Sequence, residues 1–469
     1  LYAGEDVGIP YFDLEVARLR FFGGTTNHWA GWCRPLEPQD FEARDWVPHS
    51  GWPIPYADYA SYLGRAAERC QLKSYDFDFY KWLAGTGAKL DREAFAPLLP
   101  AFVPSLFWMS PPTRFGQEYR GALDRAANVK VLLNANVTAI DAVAAPGTVD
   151  SLAVASLDGK HFTVKPKVVV LAAGGIENAR LLLASRGRFK DGLGNQNGLV
   201  GRYFADHIEL TSGYILASAK RPAIFNLLNR YHASLTNNVS LDSTWEMQRE
   251  NKILNMDFTL SRVASEAQTS DGFGALRRIG RAVSLGKWPK NFFSDVGTAL
   301  GDIDKIISYG LSKIGKGDPD LFVMYNRCEV APNPESSVSL GNAVDRLGMP
   351  QVKLNWQLTE LDYRSIRTTQ VVLAQILGQA GLGKVKIELA PVFEHWPDVL
   401  QGGYHHLGTT RMAADAKQGV VDTNCRVFGL ENLYVAGSSV FPTTGRANPT
   451  FSILALALRL SDHLKRAWG

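Results

Sequence analysis

Tyr404-His405-His406-Leu407-Gly408-Thr409-Thr410-Arg411-Met412, then Leu433-Tyr434-Val435-Ala436-Gly437-Ser438-Ser439, then Gly445-Arg446-Ala447-Asn448-Pro449-Thr450 and an apolar run to the C-terminus are three pieces of one segment. Leu433 to Ala436 is short, apolar and bounded by Asn432 and Gly437, which predicts a strand buried on both faces. Asn448 before Pro449 predicts a helix start, with Asn at the N-cap and Pro at the first helical position. Such a helix directs its unpaired N–H groups and partial positive charge at whatever lies in front of it. His405 and His406 sit on a glycine-flanked loop, where a side chain can face a cavity.

A second polar block lies near the other end, Phe22-Gly23-Gly24-Thr25-Thr26-Asn27-His28-Trp29. Its paired glycines allow a backbone to approach a ligand closely. Taken with His405-x-x-Gly408-Thr409 and Asn448-Pro449-Thr450, it resembles the glucose–methanol–choline (GMC) oxidoreductase family, in the branch of pyranose 2-oxidase and bacterial sugar dehydrogenases. The resemblance covers most of the chain and thins from about Leu210 to Asp320.

That resemblance implies an α/β chain, α+β overall. It consists of an FAD-binding Rossmann-like domain and a substrate domain whose antiparallel sheet is flanked by helices. Residues 1–50, 113–208 and 395–469 would form the FAD-binding domain; 51–112 and 209–394 would form the substrate-binding domain. His405 and Asn448 fall on the family's catalytic His and Asn. His405 rather than His406 takes that place when Gly408-Thr409 are aligned. Gly23, Gly24, Thr25 and Asn27 would wrap the FAD pyrophosphate and ring edge. The backbone of Val137 would lie near the adenine, Ala173-Gly174 along the cofactor, and Gly437, Ser438, Asn448, Pro449 and Thr450 around the flavin. His28 falls where pyranose 2-oxidase attaches its FAD covalently; a covalent bond and a histidine packed against Trp29 are both open. The family's strand–Gly-x-Gly-x-x-Gly–helix is not found, and Gly85-Thr86-Gly87 reads as a turn. The expectation is that a first βαβ unit, with any targeting signal, lies upstream of Leu1.

The chain has 469 residues, 46% of them hydrophobic and 20% charged, which suits a soluble enzyme of two domains. A net charge of +4 points to no nucleic-acid partner. Cys33, Cys70, Cys328 and Cys425 are widely spaced, which argues against a metal site or a disulfide framework. Unpaired thiols suit a reducing, cytoplasmic compartment. No run approaches the roughly 18–20 apolar residues of a membrane span.

Along the chain, helical spacing appears over Tyr56–Gln71 and Gln117–Ala127. Ser110-Pro111-Pro112-Thr113 marks a domain crossing. Val129–Leu133 and Val137–Ile140 read as β-structure, and Ser151–Ser156 with His161–Lys165 as a hairpin pair. Val168–Leu171 running into Ala172-Ala173-Gly174-Gly175 and the helix Glu177–Ala184 is how α/β folds place a ligand at a strand's end. Asp206-His207 reads chiefly as a structural pair. Ile208–Leu216 alternates as an antiparallel strand does. Residues 272–317 are basic and aromatic; such a stretch can dock a membrane or an acidic partner, but a lid or solvated helix pair is commoner. Arg327 and Glu329 alternate on a β-run and are candidates to line a substrate cavity. Thr359 caps a helix to Leu377, with Asp362 in its first turn, and Lys384–Leu389 returns as a strand.

The chemistry implied by the resemblance needs these residue types. Oxidising an alcohol removes a proton from oxygen and a hydride from carbon. A flavin takes the hydride, since no side chain can. Histidine suits the proton because its pKa lies near neutrality. An amide such as Asn448 can hold the oxygen without competing for that proton. The substrate would be a sugar or glycoside hydroxyl, with oxygen, a quinone or a protein as electron acceptor. A flavin-bearing lyase or decarboxylase on the same fold and a non-catalytic docking protein are the alternatives.

Overall fold

The computed structural model describes residues 1–86, 92–143, 147–218, 223–228, 238–263 and 321–469. The basic stretch 272–317 lies outside the described residues. Among the described residues there are four sheets, and the smallest matters most for the site. Val169–Leu171 and Leu433–Val435 pair in parallel, with Val435 opposite Leu171. Leu433, Tyr434 and Val435 are all buried, as their unbroken apolar run predicts. Both strands end in Ala-Gly sequences, and the chain leaves Val169–Leu171 directly into the helix Gly175–Ala184. Two three-stranded sheets contact the helix Gly175–Ala184. In one, Gly4–Asp6 lies parallel to Pro350–Asn355, which pairs with Ser337–Val344; the other is the meander Asn136–Val143, Thr148–Ala155, His161–Val164.

The eight-stranded sheet is antiparallel at every pairing. Its order is Gly383–Lys386, Ile208–Ala217, Leu321–Cys328, Met256–Val263, Asn238–Ser243, Phe102–Met109 and Trp32–Cys33, with Gln401–Gly402 added to Ile208–Ala217. One face packs on the helix Glu360–Gln379 through Leu373 and Leu377, closing a core with Phe102, Phe258 and Phe322. A reciprocal capping box between Thr359 and Asp362 starts that helix, as the sequence suggests. A larger core fills the space around the parallel pair.

Three expectations change. Val129–Leu133 forms no strand; Leu132 and Leu133 are 51% and 55% exposed, so their β-forming side chains have no surface to pack against. The helical stretches Tyr56–Gln71 and Gln117–Ala127 each divide in two, Tyr56–Ala60 with Leu63–Arg69 and Phe115–Glu118 with Arg120–Arg125. The C-terminal helix runs Thr450–Trp468 with Pro449 in the cap position, one residue later than the Asn-Pro pattern indicates. No helix among the described residues is long and apolar enough to cross a membrane.

Candidate active site

The segment after Gln401–Gly402 turns sharply into the core. Tyr404 has φ 60°, a left-handed conformation that costs free energy for a residue with a side chain, and stacks on Phe12 at 3.8 Å. The turn delivers His405 beside the end of Ile208–Ala217's preceding loop. The backbone N–H groups of Gly403 and His405 donate to Asp206 Oδ1 at 3.0 and 2.8 Å, and the Tyr11 hydroxyl bonds its other oxygen. Asp206 and His207 are both fully buried. His207 Nδ1 faces His405 Nδ1 at 2.9 Å, and its Nε2 reaches the Gly445 carbonyl at 2.8 Å. His405 Nε2 meets Asn448 Nδ2 at 3.2 Å. Arg327 Nη1 bonds Asn448 Oδ1 at 3.2 Å, while Nη2 holds Glu209 at 3.4 Å and the guanidinium lies 5.2 Å over the Trp32 ring.

His405 and Asn448, from opposite ends of the C-terminal segment, therefore share one spot and stay partly exposed. The groups behind them are sealed. Burial first, then the neighbouring His207 and Arg327, hold the His405 imidazole well below its ordinary pKa of 6.5. Burial, then Arg327, pushes His207 down to about 4. Burial raises Asp206 to about 7, against the pull of its three hydrogen-bond donors. The arrangement presents an uncharged imidazole nitrogen and an amide N–H side by side, able to accept a proton from a hydroxyl and hold its oxygen. Asp206, His207 and His405 also bring three ligand-type atoms within 4.8 Å of one another. Protein partners already engage each of them, and we place no metal there.

His406 points elsewhere. Its ring lies 6.0 Å from those of Phe204 and Tyr11, and its Nε2 is buried without a hydrogen-bond partner among the described residues. Burial, then Arg18, pushes it down to about 3. Its carbonyl accepts from Ser438 Oγ at 2.6 Å, and Thr409 Oγ1 bonds the Gly175 carbonyl, so the histidine loop is clamped onto both glycine turns.

Those turns are open. Gly174 and Gly437 have φ 91° and 108°, and a Cβ on either would meet no atom within 4 Å. Ala172, Ala173 and Gly174 are exposed at the end of the strand Val169–Leu171, which buries Val169 and Leu171 and exposes Val170. The helix at Thr450 has no side-chain cap, since Pro449 holds the cap position and Asn448 before it is engaged by Arg327 and His405. Ser438, by contrast, is buried on the His406 carbonyl. Open space at the glycines of two strand ends, an uncapped helix start and an unpartnered buried nitrogen fit a flat, polar-edged cofactor.

The N-terminal block is built differently. Gly23-Gly24 close a short turn over Gly24–Asn27, with Gly23 packed on Gly116. Asn27 Nδ2 bonds the carbonyls of Phe22 and Gly24 at 3.0 and 2.8 Å, so this side chain supports its own loop. Thr25 and His28 are exposed, and Trp29 Nε1 bonds the Thr113 carbonyl at 2.9 Å. Val137 is half-buried on the strand Asn136–Val143, whose first residue is held by Arg20. Of the two cavity candidates, Arg327 touches the site, but Glu329 does not. Glu329 is fully buried in a two-point pair with Arg44 at 2.8 and 2.5 Å, because the strand ends at Cys328 and its alternation stops.

Residues 332–457 match the GMC oxidoreductase family model for the C-terminal region. The 2-methyl-1,2-propanediol dehydrogenase of Mycolicibacterium austroafricanum is 27% identical over 314 residues, 66% of this chain and 50% of that protein. The fructose dehydrogenase large subunit of Gluconobacter japonicus is 26% identical over 336 residues, 71% of this chain and 53% of that protein. The chain thus spans about half the length of these curated relatives. The crystal structure of pyridoxine 4-oxidase from Mesorbium loti aligns over 96% of this chain and 84% of its own, with a TM-score of 0.53 at 15% identity, which shows a shared fold.

Proposed function

We propose that this chain, whose residues 332–457 match the GMC oxidoreductase family model, holds FAD and oxidises an alcohol carbon of a sugar or glycoside to a carbonyl. The observation that carries the reading is the 3.2 Å meeting of His405 Nε2 with Asn448 Nδ2 at a partly exposed spot. The chemistry supplied by bound FAD is acceptance of the hydride from the alcohol carbon. His405 Nε2 takes the hydroxyl proton, and its lowered pKa keeps that nitrogen free to do so at neutral pH. Asn448 Nδ2 holds the substrate oxygen as charge develops on it, and Arg327 lies one hydrogen bond behind.

For the cofactor, we assign Ala173, Gly174, Gly437, Pro449 and Thr450 to the ring side, where the backbone is open and the helix dipole meets it. Gly23, Gly24, Thr25, Asn27 and His28 go to the other edge, and the Val137 backbone to the adenine. Ser438 acts by clamping the His406 loop. The sugar preference draws support from the fructose dehydrogenase relative. We assign residues 1–50, 113–208 and 395–469 to the FAD-binding half and 51–112 and 209–394 to the substrate half. Strands Trp32–Cys33 and Gln401–Gly402 cross from the first half into the large sheet of the second.

The test is to add sugars, glycosides and simple alcohols without oxygen to the full-length protein and record its visible spectrum. Bleaching of the flavin by a sugar is expected. A flavin that no alcohol reduces would favour a lyase or decarboxylase, and a protein that binds no flavin would end the proposal. Readmitting oxygen, a quinone or a protein acceptor to the bleached sample identifies the electron acceptor.

A further inference from the structure

Hydrogen-bond directions in the site fix one tautomer. The Gly445 carbonyl can only accept, so His207 Nε2, 2.8 Å away, carries a proton. Neutral imidazole has one N–H, which leaves His207 Nδ1 as an acceptor. His405 Nδ1, 2.9 Å from it, must then donate, and the His405 lone pair falls on Nε2. The other end agrees. Arg327 has only donors, so the Asn448 atom it bonds at 3.2 Å is the carbonyl oxygen, which turns the amide N–H towards His405 Nε2. Any other assignment sets two protons or two lone pairs face to face in the interior. Burial keeps both imidazoles uncharged, as the chain requires.

We propose that His207 and Arg327 are positioning residues that lock His405 with its lone pair on Nε2, the nitrogen facing the partly open side of the site. This rests on the reading of His405 as the base. Of the two, His207 is the sharper case: fully buried, it touches neither Asn448 nor the open side through any bond described above, so its effect on turnover runs through His405.

The experiment compares His207→Leu with His207→Asn in the full-length flavoprotein. Leucine fills the space without an acceptor, whereas asparagine returns an amide oxygen near the former Nδ1. We expect His207→Leu to retain flavin and lose about 10²-fold in kcat/KM, and His207→Asn to recover about tenfold of it. The second readout is ¹⁵N NMR of histidine-labelled protein, with the His405 signals assigned by their loss in His405→Gln. The wild type should show a lone-pair (pyridine-type) Nε2, and His207→Leu a mixture of tautomers. A protonated Nε2 in the wild type, or a His207→Leu protein with wild-type turnover and tautomer, overturns the inference. If His405→Ala itself turns over normally, the underlying assignment of the base falls instead.

Discussion

Replacing Asn448 with Asp changes one N–H group to an oxygen and leaves the shape intact. The new carboxylate oxygen would sit where Nδ2 now lies, 3.2 Å from His405 Nε2. With an effective dielectric constant of about 20, that separation is worth about 5 kcal/mol of attraction to an imidazolium, equivalent to about four pKa units. Arg327 bonds the same side chain at 3.2 Å and offsets part of this attraction, so a raised His405 pKa is the expectation. His405 is active as the neutral base, so activity is lost as pH falls through its pKa. The acid limb of the wild-type profile should lie below 6.5, the ordinary value from which His405 is lowered, and the variant's limb should move up. Loss of the N–H aimed at the substrate oxygen should also lower the rate on the plateau by about 10²-fold. Anaerobic stopped-flow reduction of the flavin, run from acid to alkaline pH, measures both effects. An acid limb that stays in place would refute the claim that Asn448 and the base are in contact.

Four further outcomes follow. His405→Ala should keep its flavin and lose nearly all turnover, while His406→Ala costs less; steady-state kinetics with flavin quantitation would show the reverse ranking if the base is His406. Arg446 is 2% exposed and neutralises Asp242, with Asp257 and Glu37 each 3.3 Å away, so Arg446→Leu should lose about 3–5 kcal/mol in a urea titration. His406, lowered by burial to about 3, is uncharged in the native state while the unfolded chain protonates near 6.5. Its contribution to stability is complete above 6.5 and falls as pH drops towards 3, so the stability of wild type relative to His406→Phe should decline in that window. For His28, we expect acid-precipitated wild-type protein to stay yellow and His28→Ala protein to release all its colour; a wild-type precipitate without colour means no covalent bond.

The sequence was most legible where one element carries its own signal. The unbroken apolar run at Leu433 dictates a buried strand, and Thr359 with Asp362 dictates a helix start, because both effects are local. Local signals misled where tertiary contacts decide. Val129–Leu133 has strand-forming side chains but no sheet edge to join. Asn448 precedes proline as a helix cap does, yet Arg327 and His405 compete for its amide and win. His207 was the larger omission. It lies 198 residues before the histidine it touches, and Asp206-His207 alone reads as structural. The hydrophobic alternation at Ile208 placed the strand, but nothing local said that the residue before it would meet a loop from the far end of the chain.

The central claim is that the imidazole of His405 and the amide of Asn448 stand together against a flavin ring. A crystal structure of the full-length holoprotein measures this directly. The account predicts an isoalloxazine lying over Gly174 and Gly437, with His405 Nε2 and Asn448 Nδ2 both facing its reactive edge. A flavin bound elsewhere, or one whose ring is walled off from those two atoms, would contradict it.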